Sequence, residues 1–212
     1  AEPWLATGLF SGVTTNPRIL AASGPWMGHL VRPSDEREPK KIAWVQCVGS
    51  RDVHTCDHAY CSSVCCMYAI KESVIAKEHS HHGLDAAIFY MDMRTYGKDF
   101  ERTYVEAEKK GVRFVRSRIH SISQQPDQGL LLEYVDDQGR LQGEEFDLVV
   151  LSQGLEMEPE TAALCRRLGM DMGQTGFVST GSFSPVASSR PGIFVCGALA
   201  GPKDIPLSVV EA

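Results

Sequence analysis

The chain has 212 residues, 43% hydrophobic and 23% charged, with a net charge of -6. That is ordinary for a folded globular protein of one large or two small domains, and the acidic balance argues against a nucleic-acid groove. No apolar run reaches the length of a membrane span, and no basic-then-apolar leader opens the sequence. A cytoplasmic setting follows as the default expectation, and there cysteines serve more often as ligands or redox groups than as structural disulfides.

Taken in chain order, residues 1–31 lack periodicity and read as loop with one short helix. "RPSDEREPKK" (32–41) reads as a charged linker. "IAWVQCVG" (42–49) is apolar and β-prone, a buried strand that ends at Gly49. From Tyr60 to Glu78 the pattern turns helical, with Val64, Ala69, Ile70, Val74 and Ile75 on a broad apolar side. "HSHHG" closes that helix; its histidines suit bonds to carbonyls better than a metal site. "LDAAIFYMDM" (84–93) predicts the next strand. "KDFERTYVEAEKKG" (98–111) predicts an amphipathic helix with Phe100, Tyr104, Val105 and Ala107 inside and Gly111 as its C-cap.

"VRFVRSRIHSI" (112–122) reads as one strand. Residues 129–146 read as a hairpin turning at Asp137 to Gly139, and "DLVVLSQG" (147–154) as an apolar strand. "PETAALCRRLG" (159–169) predicts a short helix that buries Cys165. "GIFVCGALAG" (192–201) reads as a last strand and a glycine loop, with Cys196 in the core of the strand, and "KDIPLSVVEA" as a helix start capped by Asp204.

Alternating strands and helices over residues 42–118 predict an α/β fold with a Rossmann-like parallel sheet, extended by the hairpin and by the strand at 147–151. The domain expectation is a partial segment and linker at 1–40, a nucleotide-binding-like domain at 41–153, and part of a second domain at 154–212. The first residue is Ala1, and the closing helix is unfinished. Both read as the ends of a piece of a longer protein.

Five of the seven cysteines lie between residues 47 and 66. Cys61, Cys65 and Cys66 form a C-x3-C-C run, and Cys47 precedes them at a strand end. Cys61 and Cys65 share one helical face, while Cys66 points about 100° away, so either the first turn is distorted or Cys61 lies before the helix. Four thiolates can hold an iron–sulfur cluster or a zinc ion. Their charge would be offset by metal and by free N–H groups of a helix start, with Arg51 contributing. Zinc sites favour paired C-x2-C spacings, which are absent here. Cys56 reads as a fifth, non-ligating thiol or a replacement for Cys61, and His54 and His58 as solvated loop histidines. A thiol–disulfide enzyme using Cys65 and Cys66 is a rival, although adjacent cysteines form a strained ring. A zinc-stabilised interaction module is another.

"IAWVQCVGSRD", "YCSSVCCMYAIKES", "IFYMDMRTYGKDFE", "DLVVLSQGLEM" and "GIFVCGALAGPKDIPLSVVEA" resemble the A-subunit family of CoB–CoM heterodisulfide reductase, from about Ala22 onward. The resemblance implies an iron–sulfur flavoprotein with a thioredoxin-reductase-like core. It implies a [4Fe-4S] cluster on Cys47, Cys61, Cys65 and Cys66, in the place where a relative would bind nicotinamide. No G-x-G-x-x-G follows the first strand, which ends in "CVGSRD" and argues against direct use of NAD(P)H. By the same resemblance, Gly154, Gly197, Gly201, Lys203, Asp204 and Ile205 lie against FAD, with Lys203 near the isoalloxazine. The amino-terminal FAD-binding strand of the family is absent, so loss of FAD and an inactive isolated chain are expected. The implied role is electron relay between FAD and clusters toward disulfide reduction. The implied partners are other reductase subunits and an electron-donating hydrogenase or dehydrogenase, and a homodimer is compatible with the likeness.

Overall fold

The structure, a computed structural model, describes residues 13–14, 28–32 and 35–212. Most of the segment expected to be loop with a short helix, and Pro33 of the linker, lie outside these residues. The chain divides into two compact units: residues 1–48 with 65–153, and residues 49–64 with 154–212.

In the first unit, five strands form a parallel sheet. They are β1 (Val13–Thr14), β2 (Lys41–Val48), β3 (Asp85–Tyr90), β4 (Val112–Arg116) and β8 (Leu148–Gln153), in the order β1-β8-β2-β3-β4. The sequence pattern gives no sign of β1. The remaining strands, β5 (Ile119–Gln124), β6 (Leu130–Val135) and β7 (Leu141–Phe146), form a separate antiparallel meander. Two expectations are corrected here. The hairpin does not extend the parallel sheet but belongs to the meander. The single strand at 112–122 is two, interrupted at Ser117 and Arg118, with one half in each sheet. The hairpin turn itself falls where predicted, with Gly139 at φ 76° and its N–H bonded to the Asp136 carbonyl.

The parallel strands β8, β2 and β3 are buried on both faces, and alternation sorts their side chains. Ile42, Trp44, Ala86, Ile88, Leu148 and Val150 face one layer, with Met67, Ala69 and Ile70 of helix α1 (Cys65–His79) and Ala107 of helix α2 (Phe100–Lys109). Ala43, Val45, Ala87, Phe89, Val149 and Leu151 face the other, against Leu130, Leu132 and Phe146 of the meander. Phe89 meets Tyr134 and Phe146 edge to face, with ring centroids 5.0 and 5.8 Å apart. The unit is therefore three-layered: helices, parallel sheet, meander. The Asp147 carboxylate accepts the Lys40 and Lys41 N–H groups at 2.8 and 2.9 Å, which fixes the start of β2 beside β8.

Helix α1 begins five residues later than the pattern indicates, because Ser63 has φ 63°, a conformation no α-helix accommodates. Ile75 is exposed, as is Val105 on α2, while Glu72 and Ser73 of α1 are buried instead. At the end of α2 the C-cap is Lys110, one residue before the expected Gly111, which follows it with φ 81° and bonds the Glu108 carbonyl through its N–H.

The second unit is smaller. Helix α3 (Pro159–Arg167) buries Cys165 with Met170, Val178 and Val195, as expected. A short hairpin of β9 (Thr180–Gly181) and β10 (Ser184–Ser188) follows. The strand expected to open residues 192–201 is only an isolated bridge between Ala187 and Phe194, and the glycine loop expected after it holds a single 3-10 turn at Gly197–Leu199. Cys196 is correspondingly exposed, not core. Helix α4 (Ile205–Glu211) is capped by Asp204, whose Oδ1 accepts the Leu207 N–H at 2.8 Å.

Candidate redox centre

Strand alternation places Ile42, Trp44 and Gln46 of β2 toward α1 and would send Cys47 to the opposite face. The chain prevents this. Cys47 has φ 60°, and the pairing of β2 with β8 shifts register between Val45 and Val48. This bulge re-aims the side chain at the carboxyl end of the strand. As a result Cys47 meets Cys65, the first residue of α1, and Cys65 in turn meets Cys66 through side-chain hydrogen bonds. Four of the seven described non-glycine residues with positive φ, Cys47, Arg51, Asp57 and Ser63, fall within this short segment. Strained backbone of that kind persists where the surroundings over-determine it, commonly at functional sites.

The thiols are not equivalent. Hydrogen bonds to Cys47 and Cys66, reinforced by burial, push the Cys65 thiol far up. The bond from Cys65 holds Cys66 below its ordinary value against burial, and the Arg94 main-chain N–H, from the loop after β3, also bonds its sulfur. The start of a 15-residue helix further favours negative charge there. Cys65 is thus the thiol that holds its proton and Cys66 the one that gives it up more readily, and a thiophilic metal would displace protons from such thiols. Cys61 lies in the second unit's segment, where its Sγ accepts the Ser63 N–H at 3.4 Å. Among the described residues, no group of three or more His, Cys, Asp or Glu side chains is placed to hold a metal ion. The donor chemistry nevertheless fits a sulfur-ligated group: soft thiols in mutual contact, flanked in sequence by Gln46 Oε1 and Ser50 Oγ, both buried without a partner among the described residues.

The loop at 49–64 is built by its own bonds. Arg51 N–H donates to the Tyr60 carbonyl at 3.1 Å, and Asp52 pairs with His58. Asp52 Oδ1 accepts the His54 and Thr55 N–H groups, both at 3.0 Å, so Cys56 stands beyond a tight turn. His58 is not simply solvated; its Nδ1 lies 3.1 Å from the Gly49 carbonyl. At the end of α1, His79 Nδ1 lies 2.8 Å from the Gly28 carbonyl, in keeping with its expected role.

The residues expected at a flavin have other engagements within their own unit. A Cβ on Gly154 would stand 2.8 Å from Ser62 Oγ and 3.2 Å from the Gly49 carbonyl oxygen. Gly197 donates its N–H to Glu211 at 3.1 Å, and a Cβ there would approach Ser208 Oγ to 3.0 Å. Gly201 is buried, with φ 153°. Lys203 is not solvated but clasped by Glu211 at 2.6 and 2.8 Å. Asp204 caps its own helix, and Ile205 is exposed.

Sequence reasoning missed a polar strip between α1 and the sheet. Gln46 Nε2 donates to Ser152 Oγ at 2.8 Å, Tyr68 hydrogen-bonds Ser152 and also donates to the Gln153 carbonyl at 3.1 Å, and Trp44 Nε1 donates to Glu72 Oε2 at 3.1 Å. A signal was available: Tyr68 and Glu72 fall three and seven residues after Cys65, on its helical stripe.

No family model matches the chain. It is 38% identical over 213 residues to the A-type iron–sulfur subunit of CoB–CoM heterodisulfide reductase from Methanocaldococcus jannaschii, covering 97% of this chain and 32% of that protein. It is 39% identical to the A2 iron–sulfur subunit of the Methanopyrus kandleri reductase, covering 96% and 32%. Among solved structures it is similar to LpdA from Mycobacterium tuberculosis, with TM-score 0.51, 13% identity, and coverage of 86% of this chain and 35% of that one. That likeness concerns the α/β fold alone. The chain spans about a third of the length of the curated relatives it matches. Nearly its whole length aligns with them at this identity, and it belongs to the A-subunit family of CoB–CoM heterodisulfide reductase.

Proposed function

We propose that the chain is the electron-relay portion of a heterodisulfide reductase-type oxidoreductase, with Cys47, Cys61, Cys65 and Cys66 as ligands of a [4Fe-4S] cluster. The observation that carries this reading is the contact of Cys65 with both Cys47 and Cys66, made by a strained bulge that would otherwise be unexplained. Such a cluster supplies one-electron storage, with a potential set by charge, burial and hydrogen bonds to sulfur. The protein's own contribution is placement: β2 delivers one thiol, α1 delivers two with its positive end, and the Arg94 N–H steadies Cys66. No side chain is required as nucleophile or base.

FAD as the second cofactor, at Gly154, Gly197, Gly201, Lys203, Asp204 and Ile205, rests on the family likeness. So do disulfide reduction of the CoM–S–S–CoB type, further reductase subunits, a hydrogenase or dehydrogenase as donor, and a cytoplasmic setting. Among the described residues no helix is long and apolar enough to cross a membrane. An anaerobic visible absorption spectrum tests the proposal. Broad absorption bleached by a one-electron reductant supports it, and a colourless zinc protein overturns it.

A further inference from the structure

The helix-facing layer of the first unit is mostly apolar, but polar groups meet between α1 and the sheet: Trp44 with Glu72, and Gln46 and Tyr68 with Ser152. Glu72 sits about two helical turns beyond Cys65 on the same stripe of α1, 9% exposed, with Trp44 Nε1 donating to its Oε2. Tyr68, three residues after Cys65 and four before Glu72 on α1, hydrogen-bonds Ser152, which also accepts from Gln46, and Gln46 Oε1, one residue from Cys47, is buried without a partner among the described residues. A carboxyl in such a layer is costly unless it gives up its charge. A glutamine would make the same bond to Trp44 without that cost.

We propose that Glu72 is a proton-binding group coupled to the cysteine centre, taking up one proton as one electron enters the sulfur-ligated group. This rests on the function proposed above. The step balances: the electron comes from a one-electron donor of the reduced flavin or viologen class, the proton comes from water, one O–H bond forms on Glu72, and the reverse occurs on oxidation. Added negative charge at the centre favours the protonated carboxyl, and a protonated carboxyl favours the added electron. Burial, opposed by the Trp44 bond, pushes the Glu72 carboxyl up to about 7, where exchange with neutral water is cheap. Trp44 comes from β2 and Tyr68 from α1 itself, and the latter senses the Glu72 charge. The same layer holds Ile88 of β3, Val150 of β8 and, partly buried, Phe100 and Tyr104 of α2, and its titratable groups include the Tyr104 phenol and the half-buried Lys77 of α1, whose Nζ donates to the Leu84 carbonyl. Among the described residues, no lysine, arginine or histidine acts on the carboxyl.

The test is a viologen-mediated redox titration of the anaerobically prepared full chain at a series of pH values from about 6 to about 8, with iron content measured in parallel. In the unaltered protein the midpoint potential should fall as pH rises through this window. In E72Q it should be flat, at the level of the protonated form. Trp44→Phe removes the bond that lowers the carboxyl, so the falling region should move to higher pH while iron content is retained. A reduced-minus-oxidised infrared spectrum should show a protonated carboxyl band that E72Q lacks. Iron-loaded E72Q with the same pH dependence as the unaltered chain overturns the coupling alone. A chain that takes up no iron overturns the relay reading and the coupling with it.

Discussion

Gly154→Ala offers a sharp test of how the cysteine loop is held. The new methyl would stand 2.8 Å from Ser62 Oγ, 3.0 Å from Ser50 Cβ and 3.2 Å from the Gly49 carbonyl oxygen. The serine hydroxyl can rotate, but the backbone oxygen and Ser50 Cβ yield only if the loop moves. Overpacking of this kind costs about 1–3 kcal/mol. Rotation of Ser62 would also break its bond to the Leu155 N–H, now 2.9 Å, for about 1 kcal/mol more. Ser62 adjoins Cys61, so displacement should be felt at that thiol. The assay is limited proteolysis with mass detection across residues 49–64, combined with iron content after anaerobic preparation. Gly154→Ala should be cleaved faster and bind less iron, and adding Ser62→Ala should recover part of the loss. Wild-type protection and iron content in Gly154→Ala would overturn the packing explanation and return Gly154 to a cofactor role alone.

Removing the guanidinium of Arg113 by substitution with methionine should destabilise the first unit by about 1 kcal/mol, since its ion pairs with Asp85 and Glu144 are only half shielded. Burial pushes the Glu144 carboxyl up, but bonds from Lys41 and Arg113 outweigh it and hold the group below its ordinary 4.5. Its stabilising effect is therefore present above that value and lost as pH falls below it, so the variant should show a shallower acid dependence in urea denaturation. Asp204→Ala should cost about 1 kcal/mol of local helix stability, read as faster amide hydrogen exchange at residues 205–211. Cys56→Ser should leave iron content unchanged, whereas Cys66→Ser should lower it sharply; equal effects would contradict the ligand set.

Much of the parallel sheet was legible because buried strands announce themselves. "IAWVQCVG" and "DLVVLSQG" are short apolar runs closed by glycine, and both are strands. Of the four cysteines expected as ligands, Cys47, Cys65 and Cys66 come together through the side-chain hydrogen bonds of Cys65. What the sequence concealed were features set by tertiary context. Val13–Thr14 becomes a strand only because β8 offers a free edge. The break at Ser117 cannot be seen in a run that stays β-prone on both sides, since each half pairs with a different sheet. "GIFVCGALAG" looks like a buried strand, but Phe194 makes only one bridge before the chain turns, leaving Cys196 exposed. The φ of Cys47 was invisible too, because cysteine carries no signal for a left-handed bulge. Glu72 was hidden by the habit of placing charge outside, although its spacing from Cys65 put it on the buried stripe.

Joint iron, acid-labile sulfide and zinc analysis of the anaerobically prepared chain decides whether the four thiols hold a cluster. About four irons and four sulfides per chain are expected, both lost when Cys47 is replaced by serine. One zinc with no sulfide, or full iron occupancy without Cys47, would contradict the electron-relay reading.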